Sequence, residues 1–204
     1  MKKQLLTVIV LFAAAAGGFV VSQGVFAPEP PPTATAGTTL PQPRPLPEFS
    51  LPTVNGEFTR EDLTGTWSLV FFGFTNCPDV CPNTLFMLDK VVERFDAQSD
   101  KANPQVVFIS VDPQRDDPAT TAQYAHYFNE DFVGVSGQAA SLDRISEAMS
   151  VAYGYEEEGD SYTVVHSSTV ILIDPQGRMH TIFTPPLHAD KITADLINII
   201  GVEE

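Results

Sequence analysis

The residues in this 204-residue chain best suited to chemistry are its only two cysteines. Cys77 and Cys81 lie four positions apart in the stretch TNCPDVCP, and each is followed by a proline. Because proline disfavours helical backbone angles in the residue before it, both cysteines are predicted to lie in a loop. Pro82 suits the first position of a helix, which makes Cys81 the predicted N-cap. A thiolate there gains from the helix dipole, which lowers its pKa and leaves the sulfur reactive.

Three kinds of site fit such a pair of thiols. A structural disulfide would add little stability, because closing so short a loop removes little chain entropy. A thiol–disulfide exchange site is expected between a strand and a helix, although its usual motif has two intervening residues rather than three. A metal site needs a further ligand, since two thiolates are an incomplete set for most ions. The cysteines alone leave the three interpretations open.

The four histidines are the candidates for that further ligand. His126 falls within a predicted helix, His180 alternates along a predicted strand and is expected to face solvent, and His188 could cap the last helix. His166 lies in the stretch SYTVVHSSTVILID, at the start of a predicted strand, where it could reach a loop at the end of a neighbouring strand. Taken alone, a histidine in that position is more often a hydrogen-bonded core residue.

The chemistry of the donor atoms favours one metal. If His166 joins the cysteines, the set is two soft sulfurs and one imidazole. Zinc prefers a fourth ligand, whereas a three-coordinate set of this kind suits cuprous copper. The same set with one or two added oxygen or nitrogen ligands can hold cupric copper. Asp79 lies inside the motif and is interpreted as a solvated carboxylate or an outer-sphere group rather than a ligand. Met87, Met149 and Met179 could each offer a soft sulfur, but none is predicted to bind the ion, and Met87 and Met149 are assigned to helices as core or rim residues.

Alternating strands and helices are expected to position these residues. The apolar runs at 67–74 and 105–111 are typical of buried central strands. Between them, apolar residues at intervals of three and four predict a helix over 82–95. Further elements are predicted as helices at 118–129, 142–153 and 189–200, a short strand at 132–135, and a hairpin with strands at 162–174 and 178–183. The order predicts an α/β fold with a mixed central sheet.

The first 48 residues differ in composition from the rest of the chain. Residues 1–27 carry two lysines and then a long uncharged, mostly apolar run, which predicts a membrane anchor or a signal segment; we favour an anchor. The positive-inside rule then sends the remainder across the bilayer. Residues 28–48 are rich in proline and are interpreted as an extended linker, with the folded domain at 49–204. A net charge of −15 argues against nucleic acid as a partner.

Three segments together resemble the Sco/SenC family of copper-binding proteins. They are FGFTNCPDVCPNTL (72–85), FISVDPQRDDP (108–118) and VVHSSTVILIDPQG (164–177), and they occur in the family's order and approximate spacing. The resemblance implies a thioredoxin-like, three-layer fold behind an N-terminal membrane helix, with the soluble domain in the periplasm and the anchor in the inner membrane. It also implies one copper ion bound by Cys77, Cys81 and His166. Members often have an aspartate where this chain has Val165.

The resemblance also implies a role in the assembly of cytochrome c oxidase. The leading expectation is a non-enzymatic metallochaperone that delivers copper to the dinuclear copper A centre of oxidase subunit II, with copper donor or thiol reductant proteins as further partners. The alternative is a thiol–disulfide reductase that keeps the cysteines of that centre reduced, in which Cys77 and Cys81 are catalytic and His166 is a bystander. A peroxide-reducing protein of the same fold ranks last, because no arginine accompanies the TNC stretch. Asp112 is predicted to organise a loop near the site.

Overall fold

Ten strands and four α-helices make up the part of the chain that the computed structural model describes, residues 34–159 and 161–201. The strands are β1 (Thr38–Pro45), β2 (Ser50–Thr53), β3 (Gly56–Thr59), β4 (Ser68–Gly73), β5 (Gln105–Ser110), β6 (Val133–Val135), β7 (Tyr153–Glu158), β8 (Ser161–His166), β9 (Val170–Ile173) and β10 (Arg178–Phe183). The helices are α1 (Val80–Gln98), α2 (Pro118–Phe128), α3 (Ala139–Ala148) and α4 (Ala189–Ile200), with a 3₁₀ helix at Arg60–Leu63.

Six of the strands form a mixed sheet in the order β1-β10-β9-β4-β5-β6. The central strands β4 and β5 run parallel, with Phe71 opposite Phe108, and every residue of β4 is buried. Strand β9 pairs antiparallel with both β4 and β10. Continuous apolar sequence in β4, β5 and β9 is explained by helices and loops that cover both faces of the sheet. The predicted mixed α/β sheet is therefore confirmed.

The helices begin and end where local chemistry requires it. In α2 the Asp117 side chain accepts a hydrogen bond from the Thr120 amide and Pro118 occupies the first turn, as predicted. Helix α3 was predicted at 142–153 but ends at Ala148. The cause is Ser150, whose positive φ of 58° turns the chain and lets the amide of Val151 bond to the Ser146 carbonyl. After this turn the chain is extended and forms β7 from Tyr153 onward.

Strands β7 and β8 form a separate antiparallel hairpin that is not part of the main sheet. The sequence predicts one strand over 162–174, but the structure divides this stretch into β8 and β9. The break at 167–169 lets β8 pair with β7 while β9 pairs with β4 and β10. His166, the last residue of β8, is therefore carried by the hairpin rather than by the sheet.

The predicted boundary between linker and domain at residue 49 differs from the structure. Within 28–48, Thr38–Pro45 forms β1, which pairs antiparallel with β10 at the edge of the sheet. A strand at an edge needs hydrogen bonds on only one of its sides, so it tolerates the prolines that suggested a linker. The folded domain therefore includes residues before 49.

The predicted membrane segment at 1–27 lies outside the described residues. Between residues 34 and 201, leaving out the undescribed residue 160, no helix is both long enough and apolar enough to cross a membrane.

Candidate metal centre

The two cysteines lie where β4 passes into α1. The amide of Cys77 donates to the carbonyl of Phe74 at 3.3 Å, which turns the chain back as it leaves the sheet. The amide of Cys81 points to Cys77 Sγ at 3.4 Å and so ties the two residues together. Helix α1 begins at Val80 with Asp79 as its N-cap, so Cys81 lies inside the first turn. The prediction that Cys81 is the N-cap in a loop was therefore wrong, because Pro82 is accommodated within the first turn, where its missing N–H is no loss.

The sulfur of Cys81 is packed into the core. The residue is fully buried, and burial raises the pKa of its thiol well above the usual range. The expected exposed thiolate of low pKa is thus contradicted at Cys81, since loss of water outweighs the helix dipole. Gly73 makes this position possible, because a Cβ at residue 73 would lie 2.8 Å from Cys81 Sγ. Cys77 is only partly buried and is the more accessible of the two thiols.

The imidazole of His166 faces the cysteines. Its Nε2 atom lies 3.4 Å from Cys81 Sγ, while Nδ1 lies 3.2 Å from the carbonyl of Ser167. A proton on Nδ1 can be donated to that carbonyl, which leaves the lone pair of Nε2 directed at the sulfur. The ring packs against the edges of Phe71 and Phe74, and this burial lowers the pKa of His166. The neutral imidazole, the form that binds metals, is therefore favoured.

The donor atoms of Cys77, Cys81 and His166 all lie within 4.8 Å of one another. Three ligands at about 2.2 Å from a shared ion would stand about 3.8 Å apart, so small side-chain adjustments bring them to bonding distance. Among the residues that the structure describes, this is the one group of three or more histidine, cysteine or acidic side chains with such spacing. Two sulfurs and one imidazole are the donors that a three-coordinate cuprous ion prefers.

The other candidate residues lie elsewhere. Asp79 is exposed and accepts a hydrogen bond from Asn83 at 2.5 Å. His126 is exposed on α2, and His188 stands at the N-cap of α4 without a side-chain capping bond.

His180 was predicted to face solvent but is buried, with its ring centroid 5.2 Å from that of Trp67 and the two rings nearly perpendicular. The reason is β1, which the sequence analysis missed: it pairs with β10 and places His180 on an interior strand.

Sequence reasoning also missed Tyr162 and Thr75, which contact the loop between β5 and α2. The Tyr162 hydroxyl donates to Asp112 and the Thr75 hydroxyl to Asp116. The sequence signal for these contacts was the DPQRDDP stretch, which places Asp112 and Asp116 in the loop directly after a buried strand.

The SCO1/SenC family model matches residues 38–201. The chain belongs to the SCO1/SenC family. That match begins at the first residue of β1, in agreement with a folded domain that includes the edge strand.

Individual relatives agree with this assignment. A protein of Stutzerimonas stutzeri whose name refers to copper binding is 35% identical over 167 residues, covering 80% of this chain and 81% of its own length. The human mitochondrial SCO1 homolog is 36% identical over 151 residues, which cover 72% of this chain and 50% of the human protein. The chain therefore spans about half the length of that mitochondrial relative. The crystal structure of Arabidopsis thaliana ScoI with copper bound has a TM-score of 0.72 at 30% identity, covering 77% of this chain and 98% of that one.

Proposed function

We propose that this protein is a copper metallochaperone for the assembly of cytochrome c oxidase. The observation that carries the proposal is the convergence of Cys77, Cys81 and His166 within 4.8 Å. The two sulfurs and the imidazole bind one copper ion, which is the cargo. Membership of the SCO1/SenC family and the copper held by the Arabidopsis relative support this choice of ion.

A carrier site must let an incoming ligand reach its ion. Cys77 and His166 are both partly accessible, whereas Cys81 is buried and anchors the set. Two exposed apolar side chains flank the ligands: Val80, 41% exposed between the cysteines, and Val165, 43% exposed beside the histidine. A partner that packs against them can offer its own thiolate or imidazole at the open side and take the ion by stepwise ligand exchange.

The proposed recipient is the dinuclear copper A centre of oxidase subunit II. The proposed location is the inner membrane, with the folded domain in the periplasm. The support for this location is the sequence of residues 1–27, which has two lysines ahead of a long apolar run. Other proposed partners are a protein that supplies copper and a thiol reductant that keeps both cysteines reduced.

Removal of the imidazole tests the carrier function. We expect His166→Ala to lower the affinity for cuprous copper at least tenfold, because two sulfurs remain where three donors converged. The measurement is competition with a chromogenic cuprous chelator, together with metal stoichiometry. His126→Ala, which removes an exposed histidine of α2, is the matched control and should bind like the wild type. Equal copper affinity of His166→Ala and the wild type would refute the proposed ligand set.

A second candidate function, a thiol–disulfide reductase, is favoured by the unequal exposure of the cysteines. Partly exposed Cys77 can attack a partner disulfide as a thiolate and release one partner thiol; Cys81 then attacks Cys77 in the mixed disulfide and releases the second. The chain is left with a Cys77–Cys81 disulfide, which a separate thiol reductant must reduce. If the protein is a reductase, we expect His166→Ala to retain full exchange activity toward a disulfide peptide of the recipient. That activity should not depend on whether the variant still binds copper.

A further inference from the structure

The hairpin that carries His166 presents one face to the body of the domain. Tyr153 pairs with His166, Tyr155 with Val164, and Glu157 with Tyr162. Because directly paired residues lie on the same face and residues two apart in a strand share a face, Tyr162 and His166 point to the same side of the hairpin. They are four residues apart in β8, which is about 13 Å along an extended strand.

Tyr162 is held by the loop that follows β5. Its hydroxyl donates to Asp112 at 2.6 Å, and the Arg115 guanidinium lies 4.1 Å from the centre of its ring. Arg115 also donates to the backbone carbonyl of Tyr162 at 3.2 Å and pairs with Asp112 through Nε. Asp112 is fully buried, so this hairpin contact includes a desolvated carboxylate whose hydrogen bonds are strong.

The same loop holds the segment that leads to the cysteines. Asp116, also fully buried, accepts from the backbone amide of Thr75 at 2.8 Å and from the Thr75 hydroxyl at 2.6 Å. Thr75 is two residues before Cys77. The two aspartates are joined in one turn, in which the amide of Asp116 donates to the carbonyl of Asp112 at 2.9 Å.

We propose that the turn Asp112–Asp116 is a brace that sets the distance between the cysteine loop and His166. Asp112, Arg115 and Tyr162 are positioning residues for the imidazole, and Asp116 is the positioning residue for the cysteine loop. None of the four binds the ion. The proposal deepens the proposed copper-binding function and depends on it.

Copper affinity reports how well the brace holds the hairpin. If the hairpin contacts the brace in only a fraction of the metal-free molecules, the apparent dissociation constant for copper is the intrinsic one divided by that fraction. Loss of water around Tyr162 and its bond to Asp112 raise the pKa of Tyr162 to about 12, so the hydroxyl remains a donor at neutral pH. Replacement of Tyr162 by phenylalanine therefore removes the hydrogen bond to Asp112 without changing the charge of residue 162.

The first experiment compares Tyr162→Phe with Tyr153→Phe. Each variant loses one hydroxyl from the same face of the hairpin, but the Tyr153 hydroxyl donates to Asp143 of α3 at 2.5 Å and not to the brace. We expect the affinity for cuprous copper to fall about tenfold in Tyr162→Phe and less than twofold in Tyr153→Phe. Equal losses in the two variants would contradict the assignment, because general loosening of the hairpin would then explain both.

Hydrogen exchange of the metal-free proteins gives a readout that does not involve copper. Backbone amides of β7 and β8 should exchange faster in Tyr162→Phe, with unchanged protection in β4 and β5. Arg115→Lys, which keeps the charge but loses the planar fork, should show the same pattern. Unchanged exchange in the hairpin of both variants would overturn the proposal.

A double-mutant cycle then tests which ligand each residue acts through. In the His166→Ala background, Tyr162→Phe should cause no further loss of copper affinity, because its effect passes through the missing imidazole. Asp116→Asn should still weaken binding in that background, since it acts on the cysteine loop. If Tyr162→Phe lowers the copper affinity further in the His166→Ala background, Tyr162 does not act by positioning the imidazole.

The outcomes separate the brace from the copper site itself. If His166→Ala binds copper like the wild type, the ligand set is wrong and the brace has nothing to position. If His166→Ala loses affinity while Tyr162→Phe does not, the copper site stands and the brace is wrong.

Discussion

Gly73 shows how a single missing side chain shapes the candidate metal centre. A Cβ at this position would lie 2.8 Å from Cys81 Sγ and 2.8 Å from Cε2 of Phe108, and both neighbours are fully buried. Such an approach is closer than carbon and sulfur tolerate, and neither neighbour has free space to move into. The last residue of β4 must therefore be glycine for the Cys81 sulfur to occupy its buried position beside Phe108.

We accordingly expect Gly73→Ala to displace the Cys81 sulfur. The free energy of unfolding should fall by about 1–3 kcal/mol through overpacking, and the affinity for cuprous copper should fall with it. Chemical denaturation and chelator competition measure the two effects. Gly154→Ala is the control, because its added Cβ would meet Val165 at an ordinary contact distance of 3.7 Å. A Gly73→Ala protein with wild-type stability and affinity would contradict this account of the packing.

At this scale the sequence predicted which side chains lie close together better than it predicted their burial. Residue type and spacing singled out Cys77 and Cys81, and softness of the donor atoms favoured copper once His166 was added. The buried state of Cys81 was not predictable, because it depends on Phe108 of a neighbouring strand and on where α1 begins. Those are tertiary contacts that no local pattern encodes.

Among the secondary-structure elements, β10 carries a buried histidine whose ionisation affects stability. His180 bonds through Nδ1 to the Thr181 hydroxyl at 2.8 Å, and burial lowers its pKa below the ordinary value. In the unfolded chain a histidine titrates near about 6.5. Between the folded pKa and that value the unfolded state binds more protons, so stability falls as the pH drops through this window.

We therefore expect a shallower pH profile of stability for His180→Phe, which keeps an aromatic ring against Trp67 but cannot be protonated. Between about pH 7 and pH 5 its free energy of unfolding should decline less steeply than that of the wild type, although its stability at pH 7 is lower because the bond to Thr181 is lost. Urea denaturation at several pH values measures both slopes. The contribution of His166 is common to both proteins and cancels in the comparison. Parallel profiles would show that His180 does not titrate differently in the folded state.

Elements with a strong apolar pattern of their own were predicted well, and elements that depend on pairing with a distant strand were not. The buried strands β4 and β5 and the helix α4 agree with the sequence patterns to within two residues. Strand β1 was taken for a linker because of its prolines, and β7 was missed because its acidic sequence has no apolar alternation. Both form by pairing with a partner strand, β10 and β8, so their signals lie outside their own sequences.

In the molecule as a whole, the N-terminal part of the described chain is fastened to the last helix. Asp195 of α4 is fully buried and accepts four hydrogen bonds from the three residues before β1. They come from the amide and the hydroxyl of Thr35 at 2.5 and 2.8 Å, the amide of Ala36 at 2.7 Å and the amide of Gly37 at 3.0 Å. This cluster joins residues about 160 positions apart and fixes the start of the edge strand.

Replacement of that carboxylate should release β1. In Asp195→Asn one acceptor oxygen becomes an NH₂ group facing backbone amides, so we expect a loss of about 2–4 kcal/mol in the free energy of unfolding. Limited proteolysis should also cleave between residues 34 and 46, sites that are protected in the wild type. Asp190→Asn, an exposed aspartate in the same helix, should change neither result. Resistance of Asp195→Asn to cleavage would mean that pairing with β10 alone holds the strand.

The register of β1 also determines from which side the chain enters the domain. Thr38 at the start of β1 pairs with Ile182 at the end of β10. Ile182 pairs with Ile171 of β9, which in turn pairs with Val70 of β4. Residues 34–37 therefore lie at the end of the sheet at which β4 leads to the cysteines. Helix α4 starts just after β10 and spans 12 residues, about 18 Å. A bulky group attached just before residue 34 therefore stands at the same end of the sheet as Cys77 and Cys81, whereas one attached at Gly201 is about 18 Å from the start of α4.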